Sequence, residues 1–295
     1  MKKIINYILY HSFDILTYIF LIYLVIYALG RLDKISSFYS YLLILLLGIV
    51  IGFWFYRKAS YYLKVNQEQI LKDILSGAYD DFCAKDYKAQ IKKMNRAIDI
   101  HPVDSYYIAR ANAYRDIKKF KEAFKDYAKA IELSPDKFGY LLSRAICYKE
   151  NNQYSLAIKD YNHAIELAPE KFESYLHRAQ FYEDNEEYEK AIEDYDKTIK
   201  INPAEREAYI GKGYCLGELN KYEESAFYYQ KALDIDNQNG YVYYNRGIAL
   251  WNLNRMDEAL LSLEKAKEYG YPNAQVKIDE LLHLNYDSKN EKKNY

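Results

Sequence analysis

Proline and glycine are the scarcest structural signals in this chain, with five and eleven in 295 residues. So few breakers exclude a β-rich fold strung on tight turns and favour long helices with short connections. Cysteine is scarce too. Cys83, Cys147 and Cys215 are odd in number and far apart, which excludes a disulfide framework and a thiolate metal cluster and suits a reducing compartment. Charge of one sign is missing: 41 basic side chains face 42 acidic ones, so no whole-protein field draws nucleic acid, and no nucleic-acid partner is expected. Catalytic signatures are absent as well. The chain has no nucleophile elbow, phosphate loop, HExxH or carboxylate pair outside repeated positions, so we expect no enzyme activity, no catalytic residue, no metal site and no cofactor.

What is abundant is tyrosine, 36 residues against 12 Phe and 2 Trp, and apolar sequence at the start. Two runs, about 10–30 and 38–56, each supply the roughly 20 residues that cross about 30 Å of hydrocarbon. They predict a transmembrane helical hairpin over residues 1–58, closed by the short turn "RLDKISS", with lipid bilayer as one partner. A cleaved signal peptide ending at "ALG" is the rival reading of the first run. Lys2, Lys3, Arg57, Lys58 and Lys64 flank the outer ends, whereas the turn carries only Arg31 and Lys34. The positive-inside rule then predicts a multi-pass protein of the cytoplasmic (inner) membrane with both termini and everything after residue 57 in the cytosol. His11 and Asp14 in the first run are either an intramembrane ionisable pair or a headgroup-level start of the span. Gly48 and Gly52, in "GIVIG", permit close helix packing, either within the hairpin or in a homo-oligomer built through the second span.

One stretch, "DYNHAIEL" (160–167), places Asp160, His163 and Glu166 at three-residue spacing, as a metal or acid/base site might be spaced on a helix. The rest of the sequence removes that reading. "DYAKAIELSP", "DYNHAIELAP" and "DYDKTIKINP" end at Pro135, Pro169 and Pro203, a 34-residue period. In the neighbouring copies His163 is replaced by Lys129 and Lys197, and Glu166 by Glu132 and Lys200. The stretch is a building block.

Numbered from Asp104, position 8 is Ala111, Ala145, Ala179, Gly213 and Gly247, and position 20 is Ala123, Ala157, Ala191, Ser225 and Ala259. Position 24 is Tyr127, Tyr161, Tyr195, Tyr229 and Leu263, and position 27 is Ala130, Ala164, Thr198, Ala232 and Ala266. Small residues let paired helices approach, aromatics fill the spaces between, and the proline ends the second helix. This pattern resembles the tetratricopeptide repeat. The expected fold is all-α: a helix-turn-helix solenoid after the transmembrane hairpin, with repeats at 104–137, 138–171, 172–205, 206–239 and 240–273. A linker helix and degenerate repeat, which carries Gln90 where a small residue belongs, precede them over 59–103. A capping helix over 273–285 and a disordered tail over 286–295 follow. Cys147 and Cys215 share position 10 and are expected as buried, inert thiols. A basic residue at position 7 and Asp at position 23 pair as Arg110–Asp126, Arg144–Asp160 and Arg178–Asp194. They are either a ladder of helix-to-helix ion pairs or solvated charges contributing little.

The resemblance implies an inner groove lined by the first helix of each repeat. On this chain those positions include Asn112, Arg115, Ile146, Lys149, Gln180, Glu183, Tyr214, Tyr241, Tyr244, Ile248 and Trp251. Some family members clamp carboxylate tails with Lys and Asn at positions 5 and 9. Position 5 here is Ile108, Leu142, Leu176, Ile210 and Tyr244, so that clamp is absent. The groove turns aromatic toward its end, as binding hot spots do, although Trp251 is equally open to burial under the capping helix. Two functions follow as expectations. One is a membrane-anchored scaffold or adaptor holding a segment of a protein partner in its groove. The other is a structural subunit of a membrane transport, secretion or envelope-assembly complex, acting through the hairpin.

Overall fold

The computed structural model describes Tyr27 and residues 37–291. Those residues are helical throughout their regular structure, with no strand among them. The chain divides between Ser76 and Gly77 into two units.

The first unit contains most of α1 (Ser37–Cys83), a helix of 47 residues that carries the second apolar run and continues past Arg57 and Lys58 without a break. Leu46, Ile49, Val50 and Phe53 expose between 50% and 64% of their surface along it. Among the described residues, no helix is long and apolar enough to cross a membrane. The first apolar run, with His11 and Asp14, lies outside the described residues apart from Tyr27. Gly48 and Gly52 are exposed on α1, and a Cβ built on either would meet nothing within 4 Å.

The second unit is a stack of helix pairs. After α2 (Tyr87–Ile100) come α3 (Asp104–Asp116) and α4 (Phe120–Leu133), α5 (Phe138–Glu150) and α6 (Tyr154–Leu167), then α7 (Phe172–Asp184) and α8 (Tyr188–Ile201). The last pairs are α9 (Arg206–Glu218) with α10 (Tyr222–Ile235) and α11 (Gly240–Asn252) with α12 (Met256–Glu268). The expected capping helix is α13 (Ala274–Glu291), and it packs on α12. It runs six residues beyond its expected end and into the segment expected to be disordered, because no proline or glycine follows Ala274 to stop it.

The small and aromatic positions behave as their chemistry requires. Ala111, Ala145 and Ala179, with Ala123, Ala157 and Ala191, are wholly buried, and Tyr127, Tyr161 and Tyr195 are at most 1% exposed against them. Cys147 and Cys215 are buried free thiols. In the degenerate copy Gln90 is buried, and its Oε1 has no partner.

Each pair turns through the same device. Lys118, Asn152, Glu186, Asn220 and Asn254 have φ between 57° and 60°, the left-handed region, although none is glycine. The next residue donates five residues back, as in Lys119 N–H to the Tyr114 carbonyl (2.8 Å) and Glu187 N–H to that of Tyr182 (2.9 Å). These bonds close a Schellman motif that satisfies the last carbonyls of the first helix.

The arginine pairs form the ladder. Arg110 grips Asp126 with Nε and Nη2 (2.6 and 2.7 Å), Arg144 grips Asp160 (2.7 and 2.8 Å), and Arg178 grips Asp194 (2.6 and 2.7 Å). The three carboxylates are only 4–6% exposed, which is far from two solvated charges. Two of the arginines also reach back to the preceding pair, Arg110 to Asn95 (2.7 Å) and Arg178 to Asn162 (2.6 Å). His163 is exposed on the outer helix beside them, with no role in a site.

First helices of consecutive repeats touch: α3 with α5, α5 with α7, α7 with α9 and α9 with α11. No comparable contact joins the second helices. The stack is therefore closer on the first-helix side, which makes that side the inner face of a curved array.

Candidate functional site

The inner face begins with residues engaged among themselves. The Asn112 Oδ1 accepts from the Tyr127 hydroxyl at 2.6 Å. Arg115 lies on Asp116 at 2.9 Å and within 3.7 Å of Glu150, and Lys149 is paired with Asp184. Ile146 is half-buried, and Gln180 bonds His177 at 3.3 Å. These side chains stand on the first helices, and their hydrogen-bonding groups are already held.

The second half differs. Glu183, on α7, accepts from the hydroxyl of Tyr195 at 2.5 Å, and the Cys215 thiol lies 3.9 Å from the same carboxylate oxygen. The Tyr195 ring belongs to the outer helix α8 and passes through the stack to reach the inner face. Gly211 makes this passage possible: a Cβ there would come within 2.2 Å of the Tyr195 ring. Burial holds the Glu183 carboxyl above its ordinary value, and burial with Glu183 nearby raises the Tyr195 hydroxyl and the Cys215 thiol. Neither thiol nor phenol is activated for chemistry.

Tyrosines stand on the same half of the stack, and Tyr214 and Tyr241 are close enough to feel the Glu183 charge. Tyr214 meets Tyr188 edge-on, with centroids 6.3 Å apart, and burial, with Glu218 and Tyr188 adding, pushes its hydroxyl up to about 12. Tyr241 and Tyr244 both contact Tyr271, at 6.1 and 4.6 Å. Tyr241 stays 40% exposed, whereas Tyr214, Tyr244 and Ile248 are half-buried. Trp251 packs, as Tyr244 does, against the cluster that holds Ile278 and Leu281, and the Lys277 ammonium lies 4.2 Å over its ring. The capping helix shares this contact, and Trp251 is half-buried, as Tyr244 and Ile248 are.

Sequence reasoning missed three contributors. Tyr188 and Tyr271 lie outside first helices, and Tyr195 is a packing residue whose hydroxyl alone reaches the groove. The signal for the last was readable in Gly211, the small neighbour that makes room for the ring. An open depression of about 620 Å³ lies elsewhere, at the turns of the first two repeats, lined by Lys118, Lys119, Lys121, Phe120 and Phe124 among others. Among the described residues, no group of three or more His, Cys, Asp or Glu could hold a metal ion.

Paired antiparallel helices, repeated in register with their first helices inward, define an α-helical solenoid. The chain belongs to the tetratricopeptide repeat family: models of that repeat match residues 105–137, 139–171, 172–204, 207–239 and 241–269, together more than half of it. Among solved structures it is similar to MamA, at 21% identity with a TM-score of 0.51, over 56% of this chain and 96% of that one. It is similar also to a tetratricopeptide repeat protein from Parabacteroides merdae ATCC 43184, at 20% identity with a TM-score of 0.53, over 73% and 98% of the two chains. A third, YrrB, described as a repeat protein with an unusual peptide-binding site, is 19% identical with a TM-score of 0.51, over 65% and 97%. At these identities the likeness establishes the fold alone. No curated protein matches the sequence.

Proposed function

We propose that the chain is a non-catalytic scaffold that holds a segment of a partner protein in its inner groove and is tethered to the cytoplasmic membrane by its N-terminal apolar sequence. The observation that carries this reading is the partly exposed tyrosine surface of the last repeats, centred on Tyr241. Rigid aromatic side chains with a polar tip give large contact area at small entropic loss, and they dominate the energetics of protein interfaces. The structure of YrrB, described as having a peptide-binding site, agrees with such a use of the fold.

Two features support the tether. The run 38–56 is apolar, and its described side chains Leu46, Ile49, Val50 and Phe53 are exposed along α1. Arg57 and Lys58 follow at once, as at a cytosolic interface. The same exposed face favours a second reading, in which α1, with Gly48 and Gly52, joins further copies or other subunits within the bilayer and the repeats serve as a platform.

Site-specific photo-crosslinking in cells separates the two. A crosslinking residue at Tyr241 should capture a partner that one at His163, on the outer helix α6, does not. Capture from Val50 with none from Tyr241 would move the function to α1. A reporter fused after residue 64 that is active only outside the cytosol would overturn the orientation.

A further inference from the structure

We infer that the segment held at repeats three to five is basic, presenting Lys or Arg side chains to the tyrosines and carboxylates of the inner face. The inference rests on the groove being the binding surface, and it adds the chemistry of the occupant.

Charge complementarity argues for it. At the inner positions of α7, α9 and α11 stand Glu173, Glu183, Asp184, Glu207 and Glu218, and no basic residue. Lys149 is paired with Asp184, and Arg206 with Glu207 and Asp236. Glu173, Glu183 and Glu218 make no close ion pair among the described residues, although Lys149 acts on Glu183 at longer range, and one oxygen of Glu173 is buried without any hydrogen bond. In the first two repeats every inner carboxylate is engaged, Asp116 with Arg115 and Glu150 with Arg115 and Lys118. The unmatched negative charge is therefore confined to the aromatic half of the groove.

Tyrosine faces are the natural complement of a cation on a flexible stem. The chain uses the contact internally: the Lys212 ammonium lies 4.1 Å over the Tyr228 ring, and Lys277 lies over Trp251. Tyr214 and Tyr241, which feel the Glu183 charge, and the rings of Tyr188 and Tyr271 against them carry no such cation among the described residues. A carboxylate already shielded from water and bonded by Tyr195 makes a stronger ion pair than a solvated one. An acidic or phosphorylated segment would bring like charge to the same place, where repulsion rejects it.

The test is selection of a display library of random peptides on the full-length protein in mild detergent, with Glu183→Gln and Tyr241→Ala selected in parallel and matched for helicity by circular dichroism. The expected result is enrichment of Lys- and Arg-bearing peptides whose affinity falls about tenfold in Glu183→Gln, the loss of one charge-assisted contact. Neutral or acidic peptides that depend on Tyr241 would overturn the inference and leave the groove as the binding surface. Basic peptides indifferent to both substitutions would overturn it too, because they would be held by acidic residues elsewhere. If no peptide is enriched, the inference falls, and crosslinking from Tyr241 then decides independently whether the groove binds protein at all.

Discussion

Repeats one to three and repeats four to five are built on one template, yet they treat position 7 differently. In the first group a bidentate arginine–aspartate pair joins the two helices of every repeat. In the fourth, Lys212 is nearly buried and turns to Asp196 of the preceding repeat (2.5 Å) and the Tyr228 hydroxyl (2.9 Å). In the fifth, Arg246 donates from Nη1 to the Ser262 hydroxyl at 2.6 Å, while its buried Nε has no partner. The inner faces diverge one repeat earlier, at α7, where Glu173 and Glu183 stand. The early groove neutralises its own charges, and the late groove leaves carboxylates and tyrosines open. A regular stack and an unsatisfied surface lie side by side in one solenoid, and the proposed binding would use the second.

The largest effect is expected where both halves share the packing rule. Tyr161→Ala removes a ring 1% exposed from the centre of the second repeat and should lower unfolding free energy by about 3–5 kcal/mol. Leu263→Ala, at the corresponding place in the fifth repeat, should lose about 2–5 kcal/mol. Solenoids unfold as coupled neighbours, so the urea midpoint should be followed by two probes, one at each end of the array. If both ends report the same midpoint in every variant, the two halves are one cooperative unit.

The ladder distinguishes the halves next. Asp160→Asn leaves the Arg144 guanidinium without its carboxylate among buried neighbours and should destabilise by about 1–3 kcal/mol. An unmoved midpoint would mean that the buried pair contributes nothing to stacking. The converse substitution, Ser262→Asp, supplies Arg246 with the acid its counterparts have, and should raise stability by about 1 kcal/mol if the rotamer seen at Asp160 is available there. Destabilisation would show that the fifth repeat is shaped for the hydroxyl.

Much of this was legible in the sequence. The 34-residue period, the buried small residues and the ladder partners follow from residue identities at fixed spacing. The contact of Trp251 with α13 did not follow: its spacing makes it an inner-face residue, and only the structure places the Lys277 ammonium over its ring. Tyr195 did not follow either, because a position 24 side chain reads as core until its hydroxyl is seen to reach Glu183. The left-handed turn residues escaped for a different reason. That conformation advertises itself through glycine, and this chain fills it with Lys, Glu and Asn.

The pH dependence of stability should isolate Glu183. Its folded value lies above the ordinary glutamate value, so the folded state holds this proton more tightly than the unfolded one. The resulting contribution is complete below the ordinary value and is lost as pH rises through the raised one. Lys149 and Tyr195 act against this elevation, and burial and Asp184 act with it. Glu183→Gln should remove that fall from the profile of urea midpoint against pH. A profile unchanged by Glu183→Gln would place the responsible proton elsewhere.

The smallest effect concerns the turns, where the repeats differ in residue but agree in shape. Glu186 is exposed and holds φ of 60°, a conformation that its Cβ disfavours. Glu186→Gly relieves that strain and also loosens the unfolded chain, which offsets part of the gain. The net stabilisation should be about 0.5–1 kcal/mol, read as a higher urea midpoint with unchanged slope. Asn152→Gly, at the same φ region in the second repeat, should gain less, because asparagine already tolerates it. Equal gains at the two sites would show that the backbone hydrogen bonds of the Schellman turn, and not the side chain at its left-handed position, set the stability of the connection.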